Sequence, residues 1–216
     1  MFGAPGSGKG TQSFLLAEHE EMFHLEASKI LESRMRKASP GEKVVLEGEE
    51  FFLDEQRRRW GEGLLCEDGF VAYSVKEKLK EIKDKGVIID GYPRSIKQIE
   101  SVLPFLQENF SPIDVYYIYV DKEDSVYRNS NRKVCTLMRH SIMAHEETAH
   151  LSICPLDGSP LKKRKLDDPE VIETRLEEFQ ESTLPVLNYL RENGVEVKEV
   201  DGRGSIADVF SRILSL

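Results

Sequence analysis

The stretch Gly3-Ala4-Pro5-Gly6-Ser7-Gly8-Lys9-Gly10-Thr11 has the composition of a loop that wraps a phosphate group. Its glycines let successive backbone N–H groups turn inward as an anion-binding nest. A helix opening directly after them aims the positive end of its dipole at the same point. Gly3 to Lys9 fit Gly-x4-Gly-Lys, which places Lys9 to reach the β- and γ-phosphates of a nucleotide. The hydroxyl residue that usually follows that lysine is displaced: Gly10 stands in its place and Thr11 comes next. A second chemical feature is Asp90, an acid at the end of an apolar run, followed by Gly91-Tyr92-Pro93-Arg94.

The elements that must hold these groups alternate along the chain. Apolar, β-branched runs at 86–90, 114–121 and 195–202 predict buried parallel strands, with a shorter strand at 24–27. Helical spacing of Val71, Val75, Leu79 and Ile82 predicts a helix over 71–83. Asp168 as cap, Pro169 in the first turn and an apolar stripe of Ile172, Leu176 and Phe179 predict another over 169–181. Residues 205–216 predict a closing helix. Strands alternating with helices imply an α/β, doubly wound parallel sheet. Two charged or turn-rich stretches, 28–66 and 129–165, interrupt a core of 1–27, 67–128 and 166–216 within one domain. The first contains a predicted hairpin turning at Glu47-Gly48. His145 and His150, in the second, are expected to be solvated. Only Met1 and Phe2 precede Gly3, whereas a loop of this kind normally follows a strand of about five residues. The expectation is a first strand nearly absent from the recorded chain, with apolar residues missing upstream.

The form Gly-x-Pro-Gly-x-Gly-Lys-Gly-Thr resembles the loop of the adenylate kinases and their nucleoside monophosphate kinase relatives. Further motifs follow in family order across nearly the whole chain: Asp90-Gly91-Tyr92-Pro93-Arg94, Gln98 four residues later, Arg128 and Arg132 four apart, Arg164 and Arg175 eleven apart, and the loop Val200-Asp201-Gly202-Arg203-Gly204-Ser205. The resemblance implies a P-loop kinase fold with a five-stranded parallel sheet flanked by helices. It implies transfer of the γ-phosphoryl group of Mg·ATP to AMP, giving two ADP, with an acceptor-binding insertion over 28–66 and a lid over 129–165. By the same resemblance, Lys9, Arg94, Arg128, Arg132, Arg164 and Arg175 form a ring of cations that neutralises the transferred group, a task suited to the bidentate guanidinium. Donor nucleotide is expected along Gly3, Ala4, Pro5, Gly6, Ser7, Gly8, Lys9, Gly10 and Thr11, at Arg128 and at Gly204. Asp90 is expected to hold waters around Mg²⁺. Acceptor is expected at Asp90, Gly91, Arg94 and Gln98, whose amide favours adenine, and along the backbone of Gly63, Leu64 and Leu65. Asp167 or Asp168 either helps to position the lid or simply caps the following helix.

Two segments depart from the family pattern. Glu32 falls where the arginine that grips the acceptor phosphate should be. Arg34 comes two residues later, with Arg36, Arg57, Arg58 and Arg59 open as alternatives. In the lid, the family's zinc knuckle is half kept: Cys154-x2-Asp157 is intact, but Cys135-x2-Met138 offers a thioether, a poor Zn²⁺ ligand. His140 can replace it, so the expected structural zinc site is Cys135, His140, Cys154 and Asp157.

The bulk numbers set limits on the alternatives. With 39 Asp and Glu against 30 Lys and Arg, the chain lacks the basic excess of a nucleic-acid binder. Its apolar runs are too short to span a bilayer, and its first residues do not read as a secretory signal. Three cysteines are too few for a disulfide scaffold, so a reducing, cytoplasmic setting is expected; a monomer without nucleic-acid or membrane partners is expected as well. The rival readings are a UMP, CMP or other monophosphate kinase, and a nucleotide-binding protein without turnover.

Overall fold

The structure, a computed structural model, describes every residue except Lys37, Lys83, Asp84 and residues 144–147, and His145 therefore lies outside the described residues. The chain runs β1 (Phe2–Gly3), α1 (Lys9–His19), β2 (Phe23–Glu26), α2 (Ala27–Arg36), β3 (Lys43–Leu46), β4 (Glu49–Phe52), α3 (Leu53–Glu62) and α4 (Asp68–Glu81). It continues through β5 (Val87–Asp90), α5 (Ile96–Asn109), β6 (Val115–Tyr119), α6 (Lys122–Asn131), β7 (Lys133–Cys135), β8 (Ser141–Ile142) and β9 (Leu161–Lys162). A short 3-10 turn (Lys165–Asp167), α7 (Pro169–Glu178), a π-helical turn (Phe179–Thr183), α8 (Leu184–Glu192), β10 (Val197–Asp201) and α9 (Ile206–Leu214) complete it.

The central strands are parallel, as their apolar runs predict, but they are not hydrogen-bonded into the single five-stranded sheet expected. One sheet has the order β1-β6-β10 and a second pairs β2 with β5. The division falls at β1. Two residues pair with Tyr117 and Ile118 of β6, and the Met1 nitrogen, 2.9 Å from the Ile89 carbonyl, reaches across to β5. A two-residue strand is too short to form a ladder on both sides. The first strand is thus as short as expected, and it lies in the central position between β5 and β6.

Alternation along the strands covers both faces. Val115 and Tyr117 of β6 and Val197 of β10 face a large cluster with Val75, Val102 and Val186 from α4, α5 and α8. Ile118 and Val200 face Leu16 of α1 and Val209 and Ile213 of α9 on the other side. That period of two, buried on both faces, is what a parallel sheet between helices requires.

Other boundaries shift locally. The helix expected from residue 71 begins at Asp68. The one expected over 169–181 keeps its stripe, with Ile172, Leu176 and Phe179 packed against Ala4, but widens into a π turn at Phe179 and passes directly into α8. Asp168 occupies the cap position without a side-chain cap bond. The hairpin of β3 and β4 turns at Glu47 and Gly48, both at positive φ. His150 is exposed in a turn. Among the described residues no helix is long and apolar enough to cross a membrane.

Candidate active site

The glycine-rich loop leads into α1 through Gly8, which occupies the cap position with φ 92 and no side-chain cap bond. The first N–H groups of α1 therefore have no intrahelical acceptor and face whatever lies in the loop. The loop is held from outside by α6. Ser125 Oγ donates to the Pro5 carbonyl, and a side chain at Gly6 would run into Asn129 Nδ2 at 2.6 Å. Gly10, where a hydroxyl residue is usual, sits against Asp90: a Cβ there would lie 3.2 Å from Asp90 Oδ2. The carboxylate fills the space a larger residue would need.

Four elements bring the expected cations together. Lys9 opens α1, Arg94 follows β5, Arg132 ends α6, Arg164 precedes α7 and Arg175 lies in its last turn. Arg132 grips Asp167 with two bonds, Nε to Oδ2 at 2.7 Å and Nη2 to Oδ1 at 2.6 Å, and Arg175 Nη1 stands 3.7 Å from the same carboxylate. One pocket is lined by Gly3, Lys9, Leu65, Arg94, Arg175 and Glu178. Charge is unbalanced here. Burial, then repulsion from Arg94, Arg132 and Arg164, pushes Arg175 down to about 9. Burial likewise lowers Arg164 and Arg94, and it lowers Lys9 to about 7 against the pull of Asp90. Arginine keeps its proton regardless. The depressions reflect burial first and, at Arg175, crowding by the other guanidinium groups, and a bound polyanion would offset both. Arg128 stands outside this cluster: its Nη1 donates to the Gly202 carbonyl, joining α6 to the loop that carries Gly204.

Asp90 lies beside Lys9. Burial raises its pKa, but His24, Lys9 and the Met1 ammonium outweigh that and hold it below the usual carboxylate range. His24 Nε2 is 3.9 Å from Oδ2, an ion-pair distance rather than a hydrogen bond. Asp90 Oδ1 is buried with no partner among the described residues. An anionic oxygen left unbonded beside a phosphate loop fits a cation with its waters. No sequence signal pointed to His24, which reaches Asp90 only because β2 and β5 pair in parallel register.

The acceptor-side residues separate. Gly63 closes α3 against Arg175, whose Cγ would lie 2.9 Å from an added Cβ. Leu64 N donates to the Arg59 carbonyl, and Arg59 Nε to the Leu65 carbonyl at 2.7 Å. Arg94 Nε donates to Gly91 O. Gln98 turns inward: Oε1 accepts from Arg94 N at 2.8 Å, and Nε2 donates to Asp68 Oδ1 at 3.0 Å. Its amide thus positions Arg94 in this structure. Of the alternative arginines, Arg57 bonds the Met35 and Ala38 carbonyls, Arg58 is exposed between Glu55 and Glu62, Arg36 is exposed, and Arg34 lies 5.6 Å over the Tyr73 ring. Arg59 lines a cleft with Leu65, Cys66 and Tyr73.

In the 129–165 segment, Cys135, His140, Cys154 and Asp157 offer ligand atoms that all lie within 4.8 Å of one another. Cys135 Sγ is 3.0 Å from Asp157 Oδ2, and His140 Nδ1 is 3.3 Å from that oxygen and 3.5 Å from Cys154 Sγ. Backbone N–H of His140 donates to Cys135 Sγ. Met138 points out, 64% exposed, and His140 rather than Met138 lies with the two thiols and Asp157. Two soft sulfurs, an imidazole and a carboxylate at this spacing fit tetrahedral zinc.

A phosphate loop feeding a helix, with half-buried cations converging on it from four further positions, is an arrangement for moving a phosphoryl group between anions. The sequence model of the adenylate kinase family matches residues 1–195. The chain belongs to the adenylate kinase family. It is 33% identical to the adenylate kinase of Methanococcoides burtonii over 99% of this chain and 94% of that one. It is 30% identical to those of Chlamydia abortus and Pyrococcus horikoshii, over 99% and 100% of this chain and 93% of each of theirs. As an adenylate kinase-like nucleoside monophosphate kinase it is a phosphotransferase.

Proposed function

We propose that this protein, as a cytoplasmic monomer, transfers the γ-phosphoryl group of Mg·ATP to AMP, giving two ADP. The observation that carries the reading is the convergence of Lys9, Arg94, Arg132, Arg164 and Arg175 with too little carboxylate to balance them. One oxygen of the AMP phosphate attacks the γ-phosphorus, the bond from that phosphorus to the β,γ-bridging oxygen breaks, and ADP leaves. The acceptor oxygen is already anionic, so no general base is needed. Catalysis is then alignment plus neutralisation of charge on the transferred group. The loop N–H groups and Lys9 hold the donor phosphates, Arg94 holds the acceptor phosphate, and Arg132, Arg164 and Arg175 surround the group in flight. Gly204 and Arg128 lie at the donor base. Asp90, with its unpartnered Oδ1, would hold Mg²⁺ through waters, and the ion would supply positive charge against the donor phosphates. The 129–165 segment acts as a lid that excludes water and so limits hydrolysis of ATP.

A coupled assay across AMP, GMP, CMP and UMP tests the acceptor. AMP is expected to give the highest kcat/KM, and a preference for UMP or CMP would replace the adenine reading by a pyrimidine one. Absence of transfer to all four would leave nucleotide binding alone.

The lid is proposed to hold one structural Zn²⁺ on Cys135, His140, Cys154 and Asp157, because so small a segment has little core of its own. Elemental analysis of protein purified without chelators is expected to give one zinc per chain, and Cys154→Ser less than half of that. A zinc-free protein of full activity would reduce the cluster to the thiol–carboxylate bonds seen here.

A further inference from the structure

Glu32 lies on α2, in the register where the family pattern places an arginine for the acceptor phosphate. Arg139 lies in the turn between β7 and β8, at φ 61, a left-handed conformation uncommon for a residue with a side chain. The two are 107 residues apart in sequence, yet Arg139 Nη1 is 2.6 Å from Glu32 Oε2. The contact joins the lid to the acceptor insertion. Both charges are also felt by Arg164, a member of the cation cluster, with Arg139 disfavouring its charge and Glu32 favouring it. The pair thus lies within electrostatic reach of Arg164.

With side chains 45% and 41% exposed, the pair contributes little to holding the fold together. Its electrostatic effect on a neighbour is a different matter. A bare carboxylate in the acceptor site repels an incoming phosphate dianion, whereas a carboxylate bound to a guanidinium presents almost no net charge. The guanidinium belongs to the 129–165 segment and the carboxylate to the 28–66 segment. We propose that Arg139 is a positioning residue that masks Glu32 when the lid closes, so that this chain holds its acceptor monophosphate tightly only after the donor nucleotide has drawn the lid down. The charge reversal at position 32 thereby becomes a coupling between the two substrates. This rests on the reading above that the acceptor is a nucleoside monophosphate.

Calorimetric titration of AMP, with and without a non-hydrolysable ATP analogue, reads the coupling without requiring turnover. In the wild-type protein the analogue is expected to tighten AMP roughly tenfold at low salt, and less at high salt, where screening shrinks the effect. Arg139→Ala should cancel most of that gain by exposing Glu32. Adding Glu32→Ala to Arg139→Ala should restore tight AMP binding, now with or without the analogue, because the repelling charge is gone. A simple latch predicts the reverse pattern, with both single variants equally weak and the double variant no better, and that result would overturn the proposal. So would wild-type AMP affinity that ignores the analogue, or an Arg139→Ala protein that binds AMP normally with the analogue present. A wild-type protein that binds a different monophosphate in place of AMP refutes the adenine reading alone, and the same four proteins are then titrated with that monophosphate.

Discussion

A Lys9→Met protein is expected to fold normally and to lose on the order of 10²–10³ in phosphotransfer rate. Lys9 is already lowered to about 7 by burial before any nucleotide arrives, and its Nζ has only a long contact, 3.5 Å, to the Ala4 carbonyl. Little in the fold depends on that ammonium. Its interactions become strong when phosphate oxygens enter and the transferred group carries its greatest charge. Methionine fills similar space without the charge. Circular dichroism and a thermal melt should match the wild type while kcat collapses, with a smaller change in ATP affinity. Near-normal turnover by the folded variant would refute the role given to Lys9 and move the catalytic charge to the arginines.

Asp167→Ala carries the largest expected cost to stability. The Asp167 side chain is 1% exposed, accepts two bonds from Arg132 and faces Arg175. Removing it leaves buried guanidinium groups with no local counter-charge, a change of about 3–5 kcal/mol, or on the order of 10 °C in Tm for a chain of this size. Asp168→Ala, one residue on, should change little, because that exposed side chain makes no cap bond. An ATP analogue should raise the Tm of Asp167→Ala by more than it raises the wild type's, since its phosphates supply the missing charge. An unchanged melt for Asp167→Ala would show that the cluster is balanced in some other way.

The roles of these two acids could not be separated in sequence. Asp167 and Asp168 are adjacent, both precede Pro169, and both suit a helix cap. Only the position of Arg132 at the end of α6 and of Arg175 two turns into α7 makes Asp167 the common partner. The same limit applies to the arginines at 34, 36, 57, 58 and 59. Their type suits phosphate, but whether each guanidinium spends its donors on carbonyls, on neighbouring acids or on a ring depends on contacts between α2, α3 and α4.

What the sequence by itself determined is whatever depends on local spacing. The glycine-rich loop is nine consecutive residues, legible from residue type and spacing alone. The strands are short runs with a period of two, and the hairpin is a two-residue turn at Glu47-Gly48. His140 in place of Met138 is also local, since one short turn carries both residues past Cys135. The tertiary structure decided whatever depends on elements meeting. The parallel pairing of β2 with β5 sets His24 beside Asp90, and the sheet is divided at β1 because two residues cannot bond both neighbours. Gln98 is turned inward by Asp68 and Arg94. Glu32 meets Arg139 across 107 residues. A charge's partner is fixed by distance in space, and distance in sequence carries almost no information about it once the chain has folded back on itself.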